Sequence, residues 1–161
     1  MKKLFLNLLL MTFGLALAQQ KLPSVDIKTL DKKVVDASTL QNDGKPMVLS
    51  FWATWCKPCQ RELDAINEVY EDWQDETGVK LFAVSIDDSR AVSRVAPLVN
   101  GKAWDFDVLL DTNSDLKRAL GFATVPHTIL LNGKGEIVYQ HSGYTDGDED
   151  DLYEKINALL E

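Results

Sequence analysis

Six consecutive residues, Met47-Val48-Leu49-Ser50-Phe51-Trp52, form a nearly unbroken apolar run that leads, after three more residues, into two cysteines with only Lys57 and Pro58 between them. A run this short and this apolar suits a central strand buried on both faces, which needs neighbours on either side and covering layers above and below. Beyond the cysteines, Leu63, Ile66, Tyr70 and Trp73 recur at three- and four-residue steps, while Asp64, Glu68, Glu71 and Asp75 take the other side. That is an amphipathic helix, closed by Gly78. Pro58 fits its first turn, where amide hydrogens have no intrahelical partner. The cysteine pair therefore sits where a buried strand becomes a helix.

The remaining chain alternates in the same way. Val25 to Leu30 and Val34 to Ala37 read as an N-terminal hairpin around Asp31-Lys32-Lys33, and Ser38 to Lys45 as a loop with at most one helical turn. Val79 to Ile86 is a second buried strand, followed by a helical pattern through Ala91, Val92 and Val95 that Pro97 is expected to end or kink. Trp104 to Leu110 holds a short extra strand, and Asn113 to Leu120 a helix capped by Gly121. His127 to Leu131 and Glu136 to His141 are strands joined through Asn132-Gly133-Lys134-Gly135, and Leu152, Ile156, Leu159 and Leu160 place a last helix at the C-terminus. The pattern predicts an α/β fold, a mixed central sheet with helices on both faces and an N-terminal β-hairpin.

Residues 1–18 read as a signal peptide. Lys2 and Lys3 form a basic head, Leu4 to Leu15 an apolar stretch, and Ala16-Leu17-Ala18 a small-x-small cleavage pattern, so Gln19 to Glu161 is expected to be one exported domain. The apolar stretch is shorter than the roughly 20 residues a membrane span needs, which disfavours an uncleaved anchor. From Gln19 onward there are 15 basic against 25 acidic residues, a net charge of −10. Such a surface repels phosphate backbones and argues against a nucleic-acid partner.

An exported chain with two cysteines usually carries a structural disulfide. Linking Cys56 to Cys59 would close a very small loop, and the entropy removed from the unfolded chain grows with loop length, so the bond would stabilise little. Redox chemistry is the better reason for the pair. At a helix N-terminus the peptide dipoles favour thiolate over thiol, and Lys57 adds a cation unless its side chain points into water. Cys56 is then the exposed nucleophile, and Cys59, one turn inside, the resolving thiol.

Phe51-Trp52-Ala53-Thr54-Trp55-Cys56-Lys57-Pro58-Cys59 resembles the active-site segment of the thioredoxin superfamily, and Trp-Cys-x-Pro-Cys after a signal peptide is similar to its TlpA/ResA-like exported branch. The resemblance covers nearly the whole chain from Gln19 and implies a thioredoxin-like fold. It implies that Pro126, in Val125-Pro126-His127-Thr128, is a cis proline facing the disulfide and that Val125 offers main-chain hydrogen bonds to a bound substrate. Read from the residue alone, Pro126 could equally be a trans proline starting a strand. Trp55, Lys57 and Pro58 complete the expected substrate-binding rim. Thioredoxins proper carry an aspartate where this chain has Ser50. ResA-like proteins carry a glutamate matching Glu62, thought to assist the buried thiol. Two readings of Glu62 stay open: a partly buried base beside Cys59, or a solvated helix residue paired with Lys57 or Arg61.

Rival chemistries find less support. Copper or zinc would need His127 and His141 to join the cysteines, but structural zinc favours closely spaced ligand pairs. A peroxiredoxin-like role needs Thr-x-x before its cysteine, and Thr54 stands only two residues before Cys56. Haem attachment needs histidine where Gln60 follows Cys59. The reading is therefore a thiol–disulfide oxidoreductase with no cofactor or metal beyond its own redox-active cysteines. Pro58 resembles the reducing members, which implies periplasmic clients with disulfides to be reduced, as in cytochrome c maturation, and a membrane thiol transporter as electron donor. A monomer is expected, and isomerase activity is disfavoured because no dimerisation domain is present.

Overall fold

The computed structural model describes residues 20–160. The proposed signal peptide at 1–18 lies outside the described residues. Seven strands form one sheet: β1 (Asp26–Thr29), β2 (Val34–Asp36), β3 (Met47–Trp52), β4 (Lys80–Ser85), β5 (Asp107–Leu110), β6 (His127–Leu131) and β7 (Ile137–Ser142), in the order β2-β1-β5-β4-β3-β6-β7. Among the described residues the four α-helices are α1 (Lys57–Thr77), α2 (Val95–Lys102), α3 (Asp115–Leu120) and α4 (Asp148–Asn157). Strands β3, β4 and β5 are mutually parallel, whereas β6 and β7 on one side and the β1–β2 hairpin on the other pair antiparallel. The sheet is thus mixed, with β3 near its middle and every residue of β3 buried.

Alternation along β3 assigns the covering helices. The Ser50 hydroxyl reaches a residue of α1, while its neighbour Phe51 meets Phe122, just after α3, in an edge-to-face contact of 4.7 Å between ring centroids. Successive strand side chains point to opposite faces, so α1 and α3 cover opposite sides of the sheet. Helix α4 joins α1 on its face, where Trp73 stacks on Tyr153 at 5.4 Å. α1 turns its apolar stripe inward through Leu63, Ile66, Tyr70 and Trp73, and Gly78 ends it in the left-handed conformation with its amide bonded to the Gln74 carbonyl at 2.8 Å.

Several boundaries differ from expectation for identifiable reasons. Pro97 does not end the second helix: a 3₁₀ turn at Val92–Arg94 precedes it, and Pro97 is the third residue of α2, where no intrahelical amide bond is lost. Trp104 and Phe106 stand before the extra strand rather than in it. They are buried against Trp52 and Tyr70, with the Trp104 indole donating to Asp64 of α1 at 2.9 Å. Helix α3 starts two residues late because Asp111, at the end of β5, accepts the Leu116 and Lys117 amides and caps it from outside. Leu159 and Leu160 lie beyond α4, and Leu160 is exposed. Ala37 begins a 3₁₀ turn capped by the Asp36 carboxylate instead of closing β2.

Candidate active site

Only Ala53 to Cys56 separate β3 from α1, and this turn is tied down mainly through Thr54. The Thr54 amide and hydroxyl donate to the Asp87 carboxylate at 2.8 and 2.6 Å, and the Gln60 side-chain amide donates to the Thr54 carbonyl at 2.8 Å. Asp87 is buried two residues past the end of β4 and also accepts from Ser85 at 2.8 Å. A buried carboxylate is costly to desolvate unless its oxygens are bonded, and here they hold the cysteine turn in one geometry. Sequence reasoning did not find Asp87, because its partner Thr54 is 33 residues away and only the parallel pairing of β3 with β4 brings them together.

Cys56 is the N-cap of α1 and is joined to Cys59 by a disulfide, with the two Cα atoms 5.3 Å apart. Its sulfur accepts the Cys59 amide hydrogen at 3.3 Å. When the bond is reduced, that amide and the helix dipole remain in place to stabilise a thiolate. Cys56 is less open than expected for an attacking thiol, at 5% exposure against 0% for Cys59. In the disulfide its sulfur is drawn back over the first turn to reach Cys59. The surrounding rim is open: Trp55 is 64% exposed, and Lys57 and Pro58 are exposed beside it.

Antiparallel pairing of Phe51 with His127 carries Val125 and Pro126 to the point where the chain leaves β3 for the cysteines. The Val125–Pro126 peptide bond is cis. Pro126 is buried and its carbonyl is occupied by the Gly143 amide at 2.9 Å, while Val125 is half-buried.

Glu62 belongs to the buried face of α1 at 5% exposure, and Arg61 turns instead toward Asp146 at 3.9 Å. Its carboxylate accepts hydrogen bonds from the hydroxyl of Thr128 on β6 and, at 3.4 Å, from that of Ser50 on β3. Removal from water pushes its pKa up to about 7, opposed by those two hydroxyls and reinforced by Asp148 and Glu149. Glu62 opens onto a narrow cleft that it shares with Tyr144, His141 and the N-terminal residues of α4. A carboxyl group that titrates near neutrality, on the helix face of Cys59, can take up or release a proton at working pH.

The two histidines do not assemble a metal site with each other. Thr128 faces Glu62 and pairs across the strands with His141, so His141 lies on that face. His127 lies on the other, stacked on Phe122 and bonded to Ser142 and Gln140 at 2.7 and 3.2 Å, with burial lowering its pKa. Among the described residues no three histidines, cysteines or carboxylates group as metal ligands.

Comparison with known proteins fits this geometry. The AhpC/TSA family matches residues 18–140. The sporulation thiol-disulfide oxidoreductase A of Bacillus subtilis is 32% identical over 126 residues, covering 77% of this chain and 76% of that protein. The thiol-disulfide oxidoreductase ResA of Halalkalibacterium halodurans is 28% identical over 147 residues, covering 91% and 79%. A thioredoxin-like protein from Porphyromonas gingivalis, solved in solution, superposes with a TM-score of 0.78 at 51% identity over 86% of this chain and 90% of its own. With that fold, that cysteine pair and these relatives, the chain belongs to the AhpC/TSA family and is a thiol–disulfide oxidoreductase of the ResA kind.

Proposed function

We propose that this enzyme is exported to the periplasm and there reduces disulfides of client proteins, with Cys56 as nucleophile, Cys59 as resolving thiol and Glu62 as proton acceptor. The observation that carries the reading is the contrast across one helical turn, Cys56 at the N-cap beside the exposed rim residues Trp55, Lys57 and Pro58, and Cys59 fully buried on the face that carries Glu62. The Cys56 thiolate attacks one client sulfur, forming a mixed disulfide and releasing the other client sulfur as thiolate. Cys59 then gives its proton to the ionised Glu62 and attacks the Cys56 sulfur. The mixed disulfide breaks, the client leaves as a dithiol, and the enzyme is oxidised by two electrons.

Trp55, Lys57, Pro58, Val125 and Pro126 form the surface on which the client lies, with Val125 offering its backbone to an extended segment. Export is supported by residues 1–18, and among the described residues no helix is long and apolar enough to cross a membrane. The reducing direction is supported by Pro58 before the second cysteine. The enzyme acts as a monomer without a cofactor, a membrane thiol transporter recharges it, and its clients include proteins of cytochrome c maturation. Equilibration with glutathione buffers tests the direction. The expected potential lies below about −200 mV, and a value near about −120 mV, the range of strong oxidants, would reverse it.

A further inference from the structure

Beside the cysteine turn, Trp55 lines a shallow surface recess with Asp88, Arg90, Ala91 and Arg94. Arg90 is neutralised within it, its Nε and Nη2 donating to Asp88 Oδ2 at 3.1 and 2.8 Å. Arg94 is exposed and has no ion-pair partner among the described residues, and the same holds for Lys57, the residue after Cys56.

Neither cation serves the fold. Lys57 is the first residue of α1, a position where the helix dipole disfavours positive charge, and Arg94, at the junction of the 3₁₀ turn and α2, makes no side-chain capping bond. Neither is buried, so packing does not require them. In a chain of net charge −8 they give the rim of the site the sign opposite to the protein as a whole. Charges are screened over about 8 Å at physiological ionic strength, so a client touching this rim responds to the local cations more than to the distant acidic surface.

We propose that Arg94 and Lys57, together with the exposed face of Trp55, select client disulfides that carry carboxylate side chains beside the reacting cysteine. The inference rests on the reading that Cys56 attacks client disulfides. The client's carboxylate pairs with the Arg94 guanidinium or the Lys57 ammonium while its adjoining residues lie on the indole, which brings the disulfide to Cys56. A generally acidic protein is repelled by the rest of the surface, so the preferred client has its acidic residues local to the disulfide.

The test uses three disulfide peptides, identical except for glutamate, glutamine or lysine on both sides of the cysteine. Their rates of exchange with reduced enzyme are followed by stopped flow, each normalised to its own exchange with mercaptoethanol so that intrinsic reactivity cancels. At low salt the glutamate peptide is expected to exceed the lysine peptide by about fivefold, the ratio falling toward one as salt is raised. Arg94→Glu with Lys57→Glu is expected to invert the ratio, and Arg94→Lys to preserve it. A wild-type ratio of one, or a ratio unchanged by the double substitution, would overturn the proposal while leaving the oxidoreductase reading intact. Exchange with none of the three peptides would overturn both.

Discussion

Around Cys56 the first turn of α1 carries exposed and cationic neighbours, whereas Cys59 is fully buried, on the helix face where Glu62 meets two hydroxyls. On the outer side stand Trp55, Lys57 and Arg94, all exposed. On the inner side Glu62 lies between Ser50 and Thr128, contributed by two neighbouring strands. One helix supports both environments because its N-terminus projects past the end of β3 while its next turn packs on the sheet. On the proposed mechanism the same chemical group, a cysteine thiol, is thereby placed for attack in one environment and for resolution in the other. On the proposed mechanism the inner carboxyl has a use: Cys59 is fully buried, and a group titrating near neutrality on its helix face can take its proton.

The largest expected effect separates the two cysteines. Cys59→Ser should stall the enzyme at the mixed disulfide, leaving clients attached through Cys56 and released by reductant, while Cys56→Ser should trap nothing and turn nothing over. Non-reducing electrophoresis and mass spectrometry of the exported fraction would show this. Equal trapping by both variants would erase the distinction between outer and inner thiol.

Glu62→Gln keeps the shape of the inner pocket and removes its base. The step that requires Cys59 should slow by about 10²-fold, and the inflection near pH 7 in its rate should disappear, while formation of the mixed disulfide at Cys56 is little changed. Stopped-flow rates for the two steps between pH 5 and 9 would test it. An unaltered pH profile would remove Glu62 from the mechanism.

The same residue makes a smaller, thermodynamic prediction. Its folded pKa, about 7, lies above the ordinary value of 4.5, so the folded state holds its proton more tightly than the unfolded chain does. The associated stability is fully present below about pH 4.5 and is lost as pH rises through about 7, by on the order of 3 kcal/mol. Glu62→Gln should lack this loss. Urea denaturation should find the variant more stable than wild type at pH 8, relative to their difference at pH 4, and parallel pH profiles would contradict the burial of the charge.

Much of this architecture was legible from local pattern. The all-apolar run of β3, the three- and four-residue steps of α1, Gly78 and the β6–β7 turn carry their signals within a few residues, and each element was found where expected. Two of the failures share a cause, which is partnership at a distance. Trp104 and Phe106 read as strand residues but leave the sheet to pack against Trp52 and Tyr70, and α3 is capped by Asp111 from the end of β5. In the site, the cysteines announce themselves by spacing. Glu62 was ambiguous because helix periodicity alone did not show that Ser50 and Thr128 would meet it. Asp87 and Arg94 gave no local signal, one being defined by Thr54 and the other by its neighbourhood to Trp55.

The central claim, that one turn of helix divides an attacking thiol from a sheltered one, is tested most directly by brief iodoacetamide labelling of the reduced protein at neutral pH, followed by peptide mapping. The account predicts the label on Cys56, the N-cap residue beside the exposed rim, and none on Cys59, which has no exposed surface. Label found first on Cys59, or equally on both, would contradict it.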